Sequence, residues 1–556
     1  MPADVVKLDA MRQKKAGSAQ AALKLMGLPA RQRMEVILEC PDPQSVVAAL
    51  DVNDFFHTIQ EIGPDDSLPL LCLAGIEQLN HLFDIEWWRK DTLEPAKALA
   101  WLERLWRSGD AALFEWISKA DFELLVSLFK QWISLDSAPE DIDLVEATES
   151  LPPKTFDNFY FWEARYPQFD DLITQLLSVI FETNYGFFKE LMNAVLYAPS
   201  PEMEETAFHF HRARLEDHCI PDFYDALKIY KAIGPDEFTA KSAIANAGQD
   251  SAGPAFALAL LPAQDLFAKA LGHIEDRLLI ETLQAETAAL ANKLIIADQM
   301  SPEDSRALRG AVDKTLAYIN LGLELRSEGE IERAAIVLRD NFLEHLFRLA
   351  QAEVSRIRGR LVSTFKIGSL KNCPGGIKRL DGEWLDMAEE LMGTTPKILR
   401  QSGEECPSSY DFFRTSSDLA RAGHFVDIIA AIGELYRQLT AEPSEAITDF
   451  SIEAQSEGLT IGMVFLTAAA NLLFCRKWTP KPLAWTDWPE IFPLVQPRAI
   501  STALDGWIEE VLDDNDTKSL ARAYFDPILR DYEVEMRPFS LQNPPDPEMV
   551  RFFIFI

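Results

Sequence analysis

The sequence predicts a mainly α-helical, multi-domain protein that opens with a superhelical stack of short helices. Three observations predict it. Apolar residues recur at helical spacing, as in Val46, Val47 and Leu50, then Leu70, Leu71 and Leu73 with Ile76, Leu79 and Leu82. Pro, Asp and Gly interrupt that pattern about every ten residues near the N-terminus, so each helix is too short to bury its face without the next. The chain has 556 residues, of which 48% are hydrophobic. That length holds about three or four domains of ~150 residues, and the composition is too apolar for disorder.

The elements follow in order. Residues 1–20 are polar and are expected to be flexible. Segment 21–150 is the short-helix domain, punctuated by Leu28-Pro29, Pro41-Asp42-Pro43, Asp51 and Gly63-Pro64. Asp accepts the orphan N–H bonds of a helix start, and Pro tolerates the first turn. Longer helices are expected over 92–108, 110–118 and 120–134. Seven of the twelve tryptophans (Trp87, Trp88, Trp101, Trp106, Trp116, Trp132 and Trp162) fall within the 76 positions from 87 to 162. They read first as rivets between helices and second as a stacking site.

Residues 135–153 carry six carboxylates and no Lys or Arg until Pro152-Pro153, which marks a domain boundary. Segment 151–245 combines a short strand or hairpin at 155–166 (Phe156, Tyr160, Phe161, Trp162) with helices over 169–197, 201–217 and 222–232. Segment 246–365 reads as a bundle of long helices. Leu279, Leu283, Thr287, Leu290 and Leu294 trace one face, and Ile331, Ala335, Leu338, Phe342 and Leu346 another. Segment 366–556 is a C-terminal helical domain. A turn at Cys373-Pro374-Gly375-Gly376 comes first, then helices over 383–400 and 416–440 and an apolar Ala-rich stretch over 445–475. An irregular Trp/Pro-rich segment at 478–497 and helices over 499–512 and 517–530 follow. The terminal Phe552-Phe553-Ile554-Phe555-Ile556 is too apolar to dangle and is expected to fill a groove or add a strand.

Charge narrows the function classes. Lys and Arg number 53 against 88 Asp and Glu, a net charge of −35. Such a chain repels phosphate backbones and anionic membrane surfaces, so nucleic acid is not an expected partner. The most apolar stretch, Ile461 to Cys475, is shorter than the ~20 residues a membrane helix needs, so no membrane span is expected. No apolar h-region follows Met1-Pro2-Ala3-Asp4, so a signal peptide is not expected. Six widely spaced cysteines with no C-x-x-C pair fit reduced thiols and a cytoplasmic location.

Two stretches carry a resemblance. One runs Phe83-Asp84-Ile85-Glu86-Trp87-Trp88-Arg89-Lys90-Asp91 to Trp101-Leu102. The other runs Glu204-Glu205 through Arg212-Ala213-Arg214-Leu215-Glu216-Asp217 to Pro221-Asp222, Ala226 and Ile229-Tyr230. Together they resemble an uncharacterised family of long helical bacterial proteins, over nearly the whole chain. That resemblance implies no activity, because the family's domain has none assigned. The cadence of short helices over residues 21–135 is also similar to the cytoplasmic N-terminal domain of magnesium transporters and the middle domain of the flagellar motor switch protein. The transporter's membrane helices are not matched, so transport is not implied.

No phosphate loop, dinucleotide fingerprint, nucleophile elbow or paired zinc-ligand helix occurs, and no cofactor is implied. Asp513-Asp514-Asn515-Asp516 has calcium-like spacing for four residues only and reads as an acidic helix start. Cys373 reads as part of a plain turn. The helix over 201–217 is the candidate site. Glu205, His209, Arg212 and Glu216 share one face, and Arg214, Asp217 and His218 continue the charge. Tyr224 and Tyr230 follow closely. A carboxylate–His–Arg face suits an anionic ligand, or a metal through Glu205 and His209. The reading preferred over a site is structural: a solvated salt-bridge ladder, or an ion-pair staple between domains. Two functional classes follow. One is a cytoplasmic scaffold or regulatory module that binds another protein, one with a basic surface. The other is a small-ligand sensor or enzyme whose site lies near 204–218.

Overall fold

Local chemistry starts the N-terminal helices. Helix α1 spans Ala30–Leu38. Asp42 Oδ1 accepts the Ser45 N–H at 3.2 Å, and Pro43 opens α2, Pro43–Ala48. Asp51 Oδ1 accepts the Asn53 N–H at 2.9 Å at the start of α3, Val52–Ile62. Gly63 ends α3 at φ +99°, a conformation L side chains rarely adopt. Helices α4 (Leu68–Leu71) and α5 (Ile76–Glu86) follow. Gln78 of α5 donates from Nε2 to the carbonyls of Val47 (2.7 Å) and Leu50 (3.0 Å), binding it to the end of α2.

The computed structural model describes residues 24–89, 91–138, 151–218, 220–233, 241, 254–301, 304–371, 373–400, 409–439, 458–539, 545–546 and 549–556. The expected flexible segment 1–20, most of the acidic boundary, part of the 445–475 stretch, and Cys219 and Cys406 lie outside them. The protein is mainly α-helical with a few short strands. The chain divides into two compact units, Met1–Arg348 and Leu349–Ile556.

In the first unit, a two-residue hairpin, β1 (Trp88–Arg89) and β2 (Thr92–Leu93), leads to α6 (Pro95–Ser108), α7 (Asp110–Lys119) and α8 (Phe122–Trp132). Their apolar faces merge with α3 to α5 into one core. Trp87, Trp116, Trp132 and Trp162 are fully buried in it. Phe83 stacks on Trp87 at 4.3 Å, and Trp116 meets Trp87 edge-on at 5.3 Å. Two of the polar edges are satisfied: Trp132 Nε1 donates to Pro95 O and Trp116 Nε1 to Asn80 Oδ1, both at 3.0 Å, while the Trp87 and Trp162 indole nitrogens have no hydrogen-bond partner among the described residues. These tryptophans are rivets.

The aromatic run at 155–166 forms strands, as its pattern predicts. Strands β3 (Ile133–Ser137), β4 (Lys154–Thr155) and β5 (Tyr160–Ala164) make an antiparallel sheet in the order β3-β5-β4, with Leu135 opposite Trp162. Strand β3 begins directly after Trp132, because β5 offers its backbone a ladder partner there. The 169–197 run is two helices, α9 (Asp170–Thr183) and α10 (Tyr185–Tyr197). Asn184 separates them and accepts the Phe187 N–H at 3.1 Å. Helix α11 spans Ser200–Asp217. Asp222 caps α12 (Phe223–Ala226), and a 3₁₀ turn ends at Tyr230.

Helices α13 (Leu266–Leu271), α14 (Arg277–Ala297), α15 (Ser305–Ser327), α16 (Ile331–Asp340) and α17 (Leu343–Lys366) follow; the division between the units falls within α17. Leu283, Thr287, Leu290 and Leu294 are buried along α14, on the face their spacing predicts. Gly322 of α15 lies so close to α17 that a Cβ there would sit 2.0 Å from Leu346 O.

The second unit contains α18 (Gly382–Met392), α19 (Ser416–Leu439), α20 (Ile461–Cys475), α21 (Trp488–Ile491), α22 (Pro497–Val511) and α23 (Asn515–Met536). The helix expected over 383–400 stops at Met392. Ile398–Arg400 instead pairs as β6 with β7, Ser409–Asp411. Asp514 accepts the Thr517 N–H at 2.8 Å, so the acidic tetrad is a helix start. Asp381 ties three elements together: it accepts from Tyr524 Oη at 2.6 Å and from the Gly462 N–H at 2.8 Å. The C-terminal segment bridges in parallel to Leu483. The Leu483 N–H donates to Ile554 O at 2.7 Å, and the Ile556 N–H returns to Leu483 O at 2.9 Å. Among the described residues, no helix is long and apolar enough to cross a membrane.

Candidate functional site

Helix α11 is polar on several sides, and the fold sorts those side chains. Two of them, His211 and Arg214, lie one helical turn apart and face α5. Asp84 of α5 meets both. Its carboxylate accepts Arg214 Nε at 2.6 Å and Arg214 Nη2 at 2.8 Å, a bidentate pair. His211 Nδ1 approaches the same carboxylate at 3.3 Å, and its ring stacks on Trp88 at 4.7 Å. Arg214 Nη1 reaches Asp121, just before α8. Asp84 and His211 are buried, and Arg214 is about a quarter exposed (28%). Burial opposes the Arg214 charge, but hydrogen bonding and attraction from Asp84, and then from Asp121, outweigh it and hold its pKa above the ordinary arginine value.

The remaining candidates separate. Glu205, His209, Glu216 and Asp217 are exposed on α11. Arg212 is also exposed, and spans Glu216 at 2.9 Å and Asp222 at 2.7 Å. Tyr224 is 78% exposed. Tyr230 lies elsewhere: its hydroxyl donates to Asp298 at the end of α14 and accepts from Lys314 Nζ of α15 at 3.2 Å. Burial lowers the Lys314 pKa against the pull of Asp298. Burial, then Asp298, raises that of Tyr230. The structure therefore joins Arg214 to His211 and Asp84, joins Arg212 to Glu216 and Asp222, and sets Tyr230 in a separate cluster.

Two residues escaped the sequence reading. Asp84 is the centre of the buried pair, and its signal was a carboxylate on a helix face otherwise made of Leu79, Leu82 and Phe83. His81 lies one turn earlier and is also buried, edge-on to His218 at 5.1 Å. Neither of its ring nitrogens has a hydrogen-bond partner among the described residues. Burial, then the charge of His218, drives its pKa down to about 3, so the ring stays neutral. Among the described residues, no group of three or more His, Cys, Asp or Glu is placed to hold a metal ion. Chemically, the site is a carboxylate saturated by an arginine and a histidine, beside a neutral imidazole.

The match to known proteins covers the same residues. A family described as "Family of unknown function (DUF6178)" matches residues 12–556. The chain belongs to that family. Both resembling stretches, with Asp84 in one and Arg214 in the other, fall inside the matched span. No curated protein matches the chain, and no solved structure does.

Proposed function

We propose that this member of the family is a helical scaffold or regulatory module that binds another protein presenting a basic surface. The observation that carries the reading is the division of labour on α11. Its inward charges are spent on Asp84, while its outward side keeps Glu205 and Asp217 with Phe210 41% exposed, beside the Arg212–Glu216 pair, and Tyr224 follows. Carboxylates beside exposed aromatic rings suit Lys and Arg, which gain both ion pairing and cation–π contact. The net charge of −35 favours a basic partner and disfavours nucleic acid. Cys40, Cys72, Cys373 and Cys475 are free thiols, which supports a cytoplasmic location. The likeness of residues 21–135 to transporter and motor-switch domains is part of this proposal and concerns fold alone. So is the finer division into segments 21–150, 151–245, 246–365 and 366–556.

The test is affinity capture with the full chain, followed by rebinding of the captured protein at low and high salt. A stoichiometric basic partner is expected. Its binding should weaken as salt rises and in Tyr224→Ala and Phe210→Ala, with unchanged melting temperature. Rebinding that ignores both salt and these substitutions would count against the reading. A second reading, a small-ligand sensor near 204–218, is favoured by one observation, the unpartnered imidazole of His81. A ligand that protects this ring would shift its proton resonances on binding, and His81→Phe would abolish that binding.

A further inference from the structure

Helix α20 is buried along most of its length, but its last turn is different. Leu472 and Leu473 are only half-buried. They face the first turns of α22, where the side chains are small: Ala499 and Ala503. Leucines opposite alanines leave a shallow groove of about 620 Å³, widely open to solvent, with Gln496 and Thr502 on its wall. That volume lies in the range of small-molecule sites, roughly 300–1,000 Å³.

Two arginines, Arg476 and Arg498, also line the groove. Both are exposed, and neither has a salt bridge or side-chain hydrogen bond among the described residues. Each sits where local chemistry favours another residue. Arg476 caps α20 in the left-handed region, φ +61°, where Gly or Asn is the ordinary choice. Arg498 lies in the first turn of α22, where the helix dipole favours a negative charge. An anion at this position would meet the dipole and both guanidinium groups at once. An apolar floor with a cationic rim is complementary to an amphipathic anion.

We propose that the second unit binds a free, unbranched long-chain carboxylate, with its chain along Leu472, Leu473, Ala499 and Ala503 and its head group between Arg476 and Arg498. The carboxylate matches the planar fork of arginine, which grips two oxygens at once. The chain supplies the apolar area that the groove otherwise leaves to water. This goes beyond the protein-binding reading above, and neither depends on the other.

The experiment is calorimetric titration of the full chain with dodecanoate below its micellar concentration. Acetate serves as the head group alone, and phosphatidylglycerol vesicles as a membrane-borne source of the same charge. One dodecanoate per chain is expected, with no measurable acetate binding. Arg498→Gln and Arg476→Asn should each weaken binding about tenfold or more, the effect of losing one charge-assisted pair. Asn suits the left-handed position, so that variant keeps the fold. Ala499→Phe fills the groove and should abolish binding while Arg476 and Arg498 remain. The proposal is overturned by no dodecanoate binding at millimolar concentration, by affinity that the double arginine variant leaves unchanged, or by binding confined to vesicles.

Discussion

Replacing Arg214 by Ala would remove two hydrogen bonds from Asp84 and one from Asp121. Asp84 is 4% exposed, so water cannot readily take over, and only His211 at 3.3 Å remains to face it. Breaking a buried pair by deleting one partner costs about 3–5 kcal/mol. Arg214 is itself partly exposed and Asp121 can rehydrate, so the lower end applies, about 3 kcal/mol. For a unit of about 348 residues, with an unfolding entropy of ~2.1 cal/mol/K per residue, that corresponds to a fall of roughly 4 °C in melting temperature. The two units need not melt together, so the assay should resolve them: calorimetry, with tryptophan fluorescence in parallel. Seven of the twelve tryptophans lie between 87 and 162, which weights the fluorescence toward the first unit. Arg214→Lys keeps the charge but loses the fork, and should fall between wild type and Ala. Arg212→Ala, at solvent-accessible pairs with Glu216 and Asp222, should shift the midpoint much less than Arg214→Ala. The double variant Asp84→Ala/Arg214→Ala should lose less stability than the two single losses added together. The reasoning is refuted if Arg214→Ala melts within about 1 °C of wild type, a shift too small for a broken buried pair.

Two further outcomes follow from the packing. Gly322→Ala places a Cβ 2.0 Å from a backbone carbonyl that cannot rotate away, so α15 and α17 must separate. A loss of about 3 kcal/mol or more is expected in urea unfolding of the first unit, and a neutral result would mean that the helices do not approach so closely. The pH dependence of stability has two opposing parts. Burial holds His57 and His81 at pKa values of about 3, below their unfolded value. Their contribution is therefore complete above about pH 6.5 and is lost as pH falls, by about 2 kcal/mol each between pH 7 and 5. Burial, then the charge of Asp51, pushes Asp54 up to about 8 against hydrogen bonds from the Ala255 and Phe256 N–H groups. Its contribution is complete below about pH 4 and is lost as pH rises toward 8, so between pH 7 and 5 it offsets part of the histidine loss. Asp54→Asn should therefore steepen the fall in melting temperature from pH 7 to 5. An unchanged slope would show that Asp54 is ionised throughout.

The sequence by itself determined the helical class and most helix starts. Those depend on residues within one turn of each other: Asp42 with Ser45, Asp51 with Asn53, and Asp514 with Thr517. Tryptophan burial was legible for the same kind of reason, since large apolar rings at helical spacing have few alternatives to a core. The aromatic run at 155–166 was legible as strand, but not its partner. Strand β3 depends on hydrogen bonds between Ile133–Ser137 and Tyr160–Ala164, with the acidic stretch between them in the chain. The candidate site shows the same limit. Helical spacing correctly grouped Arg212 with Glu216, one turn apart. It could not show that Arg214 belongs with Asp84, 130 positions earlier, because pairing across that distance is set by how α11 packs on α5. Local hydrogen bonding and periodicity are written along the chain. Which charges are buried together, and which remain for a partner, was decided only by tertiary packing, because burial and charge pairing depend on distance in space.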